Sequence, residues 1–157
     1  MVKNMFFYDT PVGKIAVCEK DGKITDLCFD KRTPHEAGYI VRETEVLREA
    51  GCQLEEYFLG KRKVFGLPLN LTGTKFMKAV WEALLTIPYG ETRSYKEIAQ
   101  MIGNPNACRA VGQANNKNPI SIIVPCHRVI GSDGNLVGYG AGLEIKEYLL
   151  DFERRHK

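Results

Sequence analysis

The stretch Ser94-Tyr95-Lys96-Glu97-Ile98-Ala99-Gln100-Met101-Ile102-Gly103-Asn104-Pro105-Asn106-Ala107-Cys108-Arg109-Ala110-Val111-Gly112-Gln113-Ala114-Asn115-Asn116 reads as two short helices across a tight turn. Ser94 and Glu97 have the spacing of a capping box, in which each side chain satisfies the other residue's backbone N–H. The helix they start presents Tyr95, Ile98, Ala99 and Ile102 on one face and stops at Gly103. Asn104-Pro105 then supplies an N-cap and a proline at the first helical position. Two such helices form a helix-turn-helix. In the second, Ala107, Ala110, Val111 and Ala114 are expected to face inward, and Cys108, Gly112, Asn115 and Asn116 outward, with Arg109 beside them. Base reading in the major groove needs long donors and acceptors along the helix. This outward face is small, which suits close approach to a minor groove with little sequence preference. Arg109, its one long cation, fits either a wedge filling the space left by an extruded base or a phosphate contact.

Downstream runs Asn118-Pro119-Ile120-Ser121-Ile122-Ile123-Val124-Pro125-Cys126-His127-Arg128-Val129-Ile130. The β-branched run 122–124 predicts a short buried strand, ended by Pro125. A thiol becomes a nucleophile by losing its proton, and the adjacent imidazole is the usual acceptor. Neighbours on an extended chain point apart, so Cys126 and His127 cooperate only if the chain turns there or a water bridges them. Residues 138–142 (Gly-Tyr-Gly-Ala-Gly) form a tight-turning loop in which Tyr139 offers a ring for stacking. The last helix, 143–154, carries its main apolar stripe at Ile145, Tyr148, Leu149 and Phe152. Glu147, on the opposite side between Leu143 and Leu150, is the expected partner that fixes the His127 tautomer.

Upstream, Thr74 caps a helix expected to reach Ile87, apolar on two sides. Residues 5–10, 14–19 and 23–29 read as strands, the last two joined by Asp21-Gly22. Residues 36–59 read as helix, broken near Gly51 and ended by Gly60; 64–71 is a strand pair or linker. The expected class is α+β, with a scaffold domain at 1–72 and a helix-turn-helix domain at 73–157. Five cysteines with no C-x-x-C pair argue against a disulfide framework, and Cys18, Cys28 and His35 fit no zinc spacing. No apolar run is long enough to span a membrane and no leader opens the sequence, so a cytoplasmic protein is expected. Residues 1–72 carry eleven basic and eleven acidic side chains; residues 73–157 carry eleven and eight, and so the whole surplus of +3. A phosphate-bearing partner is expected there.

Taken together, Tyr95, Arg109, Asn118, Pro125-Cys126-His127-Arg128-Val129, Gly138-Tyr139 and Glu147 resemble the O6-alkylguanine-DNA alkyltransferases, also called methylated-DNA–protein-cysteine methyltransferases. The likeness is dense from Gly73 to Phe152; before that it rests on length and strand–helix order. It implies a ribonuclease-H-like α/β domain followed by a winged-helix-type catalytic domain. Some members of the family bind zinc in the N-terminal domain, but ligands for it are not evident here, so no metal or cofactor is expected, and the protein is expected to act as a monomer. It implies that Cys126 accepts the alkyl group, with His127 as water-bridged base and Glu147 behind it. Tyr95 would give a proton to guanine N3 and Asn118 would hold the active-site turn. Val129, Tyr139 and Gly140 would line the base pocket, and Arg109 would fill the gap left by the flipped nucleotide. Ala107, Cys108, Ala110 and Gly112 would lie against the DNA. The partner implied is duplex DNA bearing O6-alkylguanine, with O4-methylthymine as a second candidate substrate. Two residues depart from the family's habit: Cys108 where a small residue such as alanine is usual, and Ala141 in place of a glycine. The rival readings are a lesion-binding module without transfer, which would lack the acceptor cysteine, and a Cys-His hydrolase, which leaves the helix-turn-helix unexplained.

Overall fold

Ile15, Ala16, Val17 and Cys18 are consecutive and have no exposed surface, a pattern that needs cover on both faces of a strand. The computed structural model, which describes residues 2–29, 38–134, 136, 139 and 142–157, shows how that cover arises. The strand is β2 (Gly13–Lys20), paired antiparallel with β1 (Lys3–Thr10) and β3 (Lys23–Phe29). A fourth strand, β4 (Tyr39–Val41), lies parallel to β1, giving the order β3-β2-β1-β4. Helix α1 (Glu45–Phe58) packs on this sheet and buries Leu47, Ala50, Leu54 and Tyr57. Met5, Ala16 and Cys18 form a second cluster with Phe7 and Tyr39.

The expected helix over 36–59 is therefore shorter. Tyr39-Ile40-Val41 is aromatic and β-branched and finds a ladder partner in β1. Nor does α1 break at Gly51: a Cβ there would come within 2.4 Å of the Tyr8 ring, so the glycine admits a neighbour instead of ending the helix. The end lies at Gly60 (φ 76°), where Lys61 N–H donates to the Glu56 carbonyl and Gly60 N–H to Tyr57, a Schellman motif. Residues 64–71 contribute one bridge, Leu69 to Ile24.

The chain divides into two compact units, Met1–Leu71 and Thr72–Lys157. The second begins with α2 (Lys75–Leu84), whose cap Thr74 accepts from Met77 N–H at 3.1 Å. Trp81 on α2 donates its indole N–H to the Ala114 carbonyl at 2.9 Å, tying α2 to α4 (Cys108–Asn116). Between them, β5 (Arg93–Ser94) leads into α3 (Tyr95–Met101), and Ser94 and Glu97 make both bonds of the capping box. The second helix starts at Cys108 and not at Asn104. Pro105 has no N–H, Ala107 N–H closes a turn on the Asn104 carbonyl, and Ala107 is the residue at the N-cap. Finally β6 (Val129–Ile130) runs parallel to β5, and α5 (Leu143–Arg155) closes the unit. Pairing Arg93 with Val129 and Ser94 with Ile130 sets the root of the helix-turn-helix beside the residues that follow Cys126 and His127.

Candidate active site

Residues 122–124 are not a strand. Val124 N–H bonds the Ile120 carbonyl, Ile123 N–H bonds Ser121, and Ile122 is held at φ 71°, a region that β-branched residues seldom enter. Asn118 braces this turn from inside: its amide donates to the Val124 carbonyl at 2.8 Å and its oxygen accepts from Ile120 N–H at 3.0 Å. Pro125 then opens a 3-10 turn over Cys126–Arg128. The chain thus turns at the Cys-His step, as their cooperation requires, and all three side chains are buried.

His127 has no exposed surface, and its Nε2 lies 2.7 Å from Oε2 of Glu153. Glu153, not Glu147, is its carboxylate partner. Glu147 stands on the exposed side of α5, while Lys146, Leu149, Phe152 and Glu153 form the buried side. Arg128 fixes the same carboxylate with two bonds, Nε to Oε1 at 2.8 Å and Nη2 to Oε2 at 3.0 Å. Its remaining Nη1 donates to the Ile87 carbonyl at 2.7 Å. Burial alone would raise the Glu153 carboxyl; the bonds and charges of His127 and Arg128 outweigh it and hold the group well below the usual carboxylate range. Burial lowers the His127 imidazole against the pull of Glu153. With Nε2–H committed to Glu153, Nδ1 is the basic nitrogen, and this buried atom has no hydrogen-bond partner among the described residues.

Burial pushes the Cys126 thiol up; Asn118 and Ser121 hydrogen bonds and the charge of Lys146 pull it back. Tyr95 opens α3, and its hydroxyl is likewise raised, by burial and then by Cys126, with Asn115 opposing. A Cβ at Gly112 would lie 3.8 Å from the Tyr95 ring, so α4 meets the tyrosine with a residue that has no side chain. Asn115, expected to face outward, is buried and donates to the Cys126 carbonyl at 3.3 Å. Helix α4 is rotated accordingly: Val111, Ala114 and Asn115 face in, Arg109 and Ala110 are exposed, and Ala107, Cys108 and Gly112 are half-buried. Val129 is enclosed and Tyr139 half-buried, whereas Gly138, Gly140 and Ala141 lie outside the described residues.

Glu153, Lys146 and Asn115 are the site residues that hydrophobic periodicity missed. Each is a polar group on a buried helix face, and only partners distant in the chain explain it. Among the described residues no group of three or more His, Cys, Asp or Glu side chains is placed to hold a metal ion. None of the described helices is long and apolar enough to cross a membrane.

Comparison with known proteins gives matches to both units. The ribonuclease-like domain of 6-O-methylguanine DNA methyltransferase matches residues 5–71, and the DNA-binding domain of the same family matches residues 75–155. A methylated-DNA–protein-cysteine methyltransferase of Methanosarcina barkeri is 52% identical over 155 residues, covering 96% of this chain and 98% of its own. A constitutive one from Bacillus subtilis is 48% identical over 154 residues, covering 93% and 92%. The crystal structure of Mycobacterium tuberculosis OGT in complex with DNA superposes with a TM-score of 0.92 at 45% identity, covering 98% of this chain and 94% of that one.

Proposed function

Since the chain belongs to the 6-O-methylguanine DNA methyltransferase family, we propose that it repairs DNA by moving the alkyl group of O6-alkylguanine onto its own Cys126. The observation that carries this reading is the buried Cys126 turn backed by His127 Nε2 at 2.7 Å from Glu153. The Cys126 proton passes to His127 Nδ1 by way of a water, and Glu153 stabilises the imidazolium that forms. The thiolate attacks the alkyl carbon; an S–C bond forms as the C–O6 bond breaks. The departing guanine takes its proton at N3 from Tyr95, which regains one from solvent, a general-acid step worth roughly 10²–10⁴-fold. Attack is at saturated carbon, so no oxyanion hole is needed. The thioether does not hydrolyse, and each molecule reacts once.

A target base inside a duplex is reached by flipping. Arg109, exposed on α4 among small residues, takes the vacated space while Ala107, Cys108, Ala110 and Gly112 lie along the minor groove. Val129, Tyr139 and Gly140 receive the base, and Asn118 keeps the turn in place. The protein acts in the cytoplasm as a monomer. Presence of Cys126 disfavours a module that binds the lesion without removing it. The test is mass spectrometry after mixing with a duplex containing O6-methylguanine: one methyl group on Cys126 is expected. An adduct on Cys108, or none, overturns the assignment.

A further inference from the structure

Asn115 is 1% exposed on α4, and only the nitrogen end of its amide is matched. Nδ2 donates to the Cys126 carbonyl at 3.3 Å, and turning the amide over would set oxygen against oxygen. Oδ1 therefore points away from that carbonyl, and it is buried with no hydrogen-bond partner among the described residues. Buried acceptors are seldom left in this state. One at the wall of a substrate site is matched when the substrate brings a donor. The same residue borders Tyr95. A Cβ at Gly112, on the preceding turn of α4, would lie 3.8 Å from the Tyr95 ring, and the hydrogen bond that lowers the Tyr95 hydroxyl comes from the Asn115 side chain. The other polar side chains around Cys126 are committed. Asn118 uses both ends of its amide on the turn, Ser121 bonds the thiol, and His127 Nε2 is bound to Glu153.

We propose that Asn115 Oδ1 accepts a hydrogen bond from the exocyclic 2-amino group of the target base, and so selects O6-alkylguanine over purines that lack this group. The inference rests on Cys126 being the acceptor of the alkyl group and Tyr95 the acid. With the O6 alkyl carbon at the Cys126 sulfur and N3 at Tyr95, the purine edge between them holds N1 and the carbon that bears the amino group. Asn115, bonded to the Cys126 carbonyl and bordering Tyr95, stands along that edge. Alkylation at O6 removes the N1 proton, so the amino group is the one donor left there. Oδ1 is the acceptor that lacks one. An O6-alkylhypoxanthine, identical but for the missing amine, would leave Oδ1 unpaired, which is how a buried polar group rejects an analogue. Asn115 exchanges no atom with the substrate; its role is selection of the base, not the transfer step.

The experiment compares duplexes carrying O6-methylguanine or O6-methylhypoxanthine at the same position, read as single-turnover rates of methyl transfer to Cys126. The wild-type protein is expected to prefer the guanine by roughly fivefold or more, the usual weight of one hydrogen bond. In Asn115→Leu, which keeps the shape and removes the acceptor, that preference falls by a similar factor. Asn115→Asp keeps an oxygen in place and retains the preference, although its bond to the Cys126 carbonyl is altered. A purely structural asparagine would slow both substrates alike and leave their ratio untouched. Equal rates on the two duplexes in the wild type, or an unchanged preference in Asn115→Leu, overturn the proposal. Should Asn115→Leu not fold, Cys126→Ser with isotope-labelled asparagine is bound to each duplex without transfer and followed by NMR. The Asn115 side-chain signal moves further with O6-methylguanine if the proposal holds, and equally with both if it does not. No methyl transfer from either duplex overturns the repair reading and this inference with it; transfer at equal rates overturns the inference alone.

Discussion

Two glutamates six positions apart on α5 have opposite fates, and the difference is made by partners outside the helix. Glu147 is solvent-facing; Glu153 is buried and takes bonds from His127 and Arg128. The substitution Glu153→Gln removes the charge while preserving shape, leaving Arg128 uncompensated and the imidazole free to choose either tautomer. Alkyl transfer is expected to slow on the order of 10²-fold or more, whereas Glu147→Gln stays within about twofold, surface changes being near neutral. Single-turnover rates on an O6-methylguanine duplex decide it, and equal loss in both variants would sink the assignment. The same pair of groups sets a pH dependence. Glu153 is depressed in the folded state, so its contribution is present above the ordinary carboxyl value of 4.5 and is lost as pH falls below it. His127 is lowered from 6.5, so the unfolded chain gains a proton first and stability again drops on acidification from there. Melting temperature should therefore start to fall below pH 6.5 through His127, in Glu153→Gln as in the wild type, and the additional loss below pH 4.5 that comes from Glu153 should be missing in the variant; an equal loss below pH 4.5 in the variant would exclude this origin. The existence of the Cys126–His127 site was legible in the sequence, but its third member was not. A stripe of Ile145, Leu149 and Phe152 points to the apolar part of the buried side, and no apolar count places Lys146 or Glu153 on it.

At the level of elements, the root of the helix-turn-helix was readable to the residue, because Ser94 and Glu97 satisfy each other within four positions. Its second helix was not. Ala, Gly and Cys carry little directional signal, so the inward face was placed one position off, and Asn115 is buried by a bond to the Cys126 carbonyl eleven residues away. Replacing Ser94 with alanine removes one half of the box and should cost about 1 kcal/mol, read by urea unfolding, without altering Cys126 reactivity toward a free base. A loss of that reactivity would mean that the β5–β6 ladder transmits the defect to the active turn. The exposed position of Arg109 on α4 gives a second prediction. Arg109→Ala should slow repair in duplex DNA by roughly five- to thirtyfold, the equivalent of about one to two kcal/mol of lost flipping, while reaction with free O6-benzylguanine changes little. Equal losses on the two substrates would deny the arginine any wedge role.

For the molecule as a whole, the informative quantity is where the charge lies. The first unit is balanced, eleven basic against eleven acidic residues, and the second carries the entire surplus of +3. The hairpin of the first unit is legible from Asp21-Gly22 between two strand-like runs, whereas β4 is not, because three residues are too few to show a period and its pairing with β1 is non-local. Composition, in contrast, is insensitive to such errors and already separated a neutral unit from a basic one. A nucleic acid that displaces counterions from a few phosphates binds with an affinity that falls steeply with salt; three contacts predict a loss of roughly tenfold to a hundredfold between 50 and 200 mM. A free alkylated base has no phosphates, so its reaction with Cys126 should be flat over the same range. Measured together, duplex affinity and free-base reactivity separate electrostatic docking from chemistry at the sulfur. Duplex binding indifferent to salt would mean that the basic surplus of the second unit does not face the DNA, and the placement of α4 along the phosphate-flanked groove would have to be abandoned.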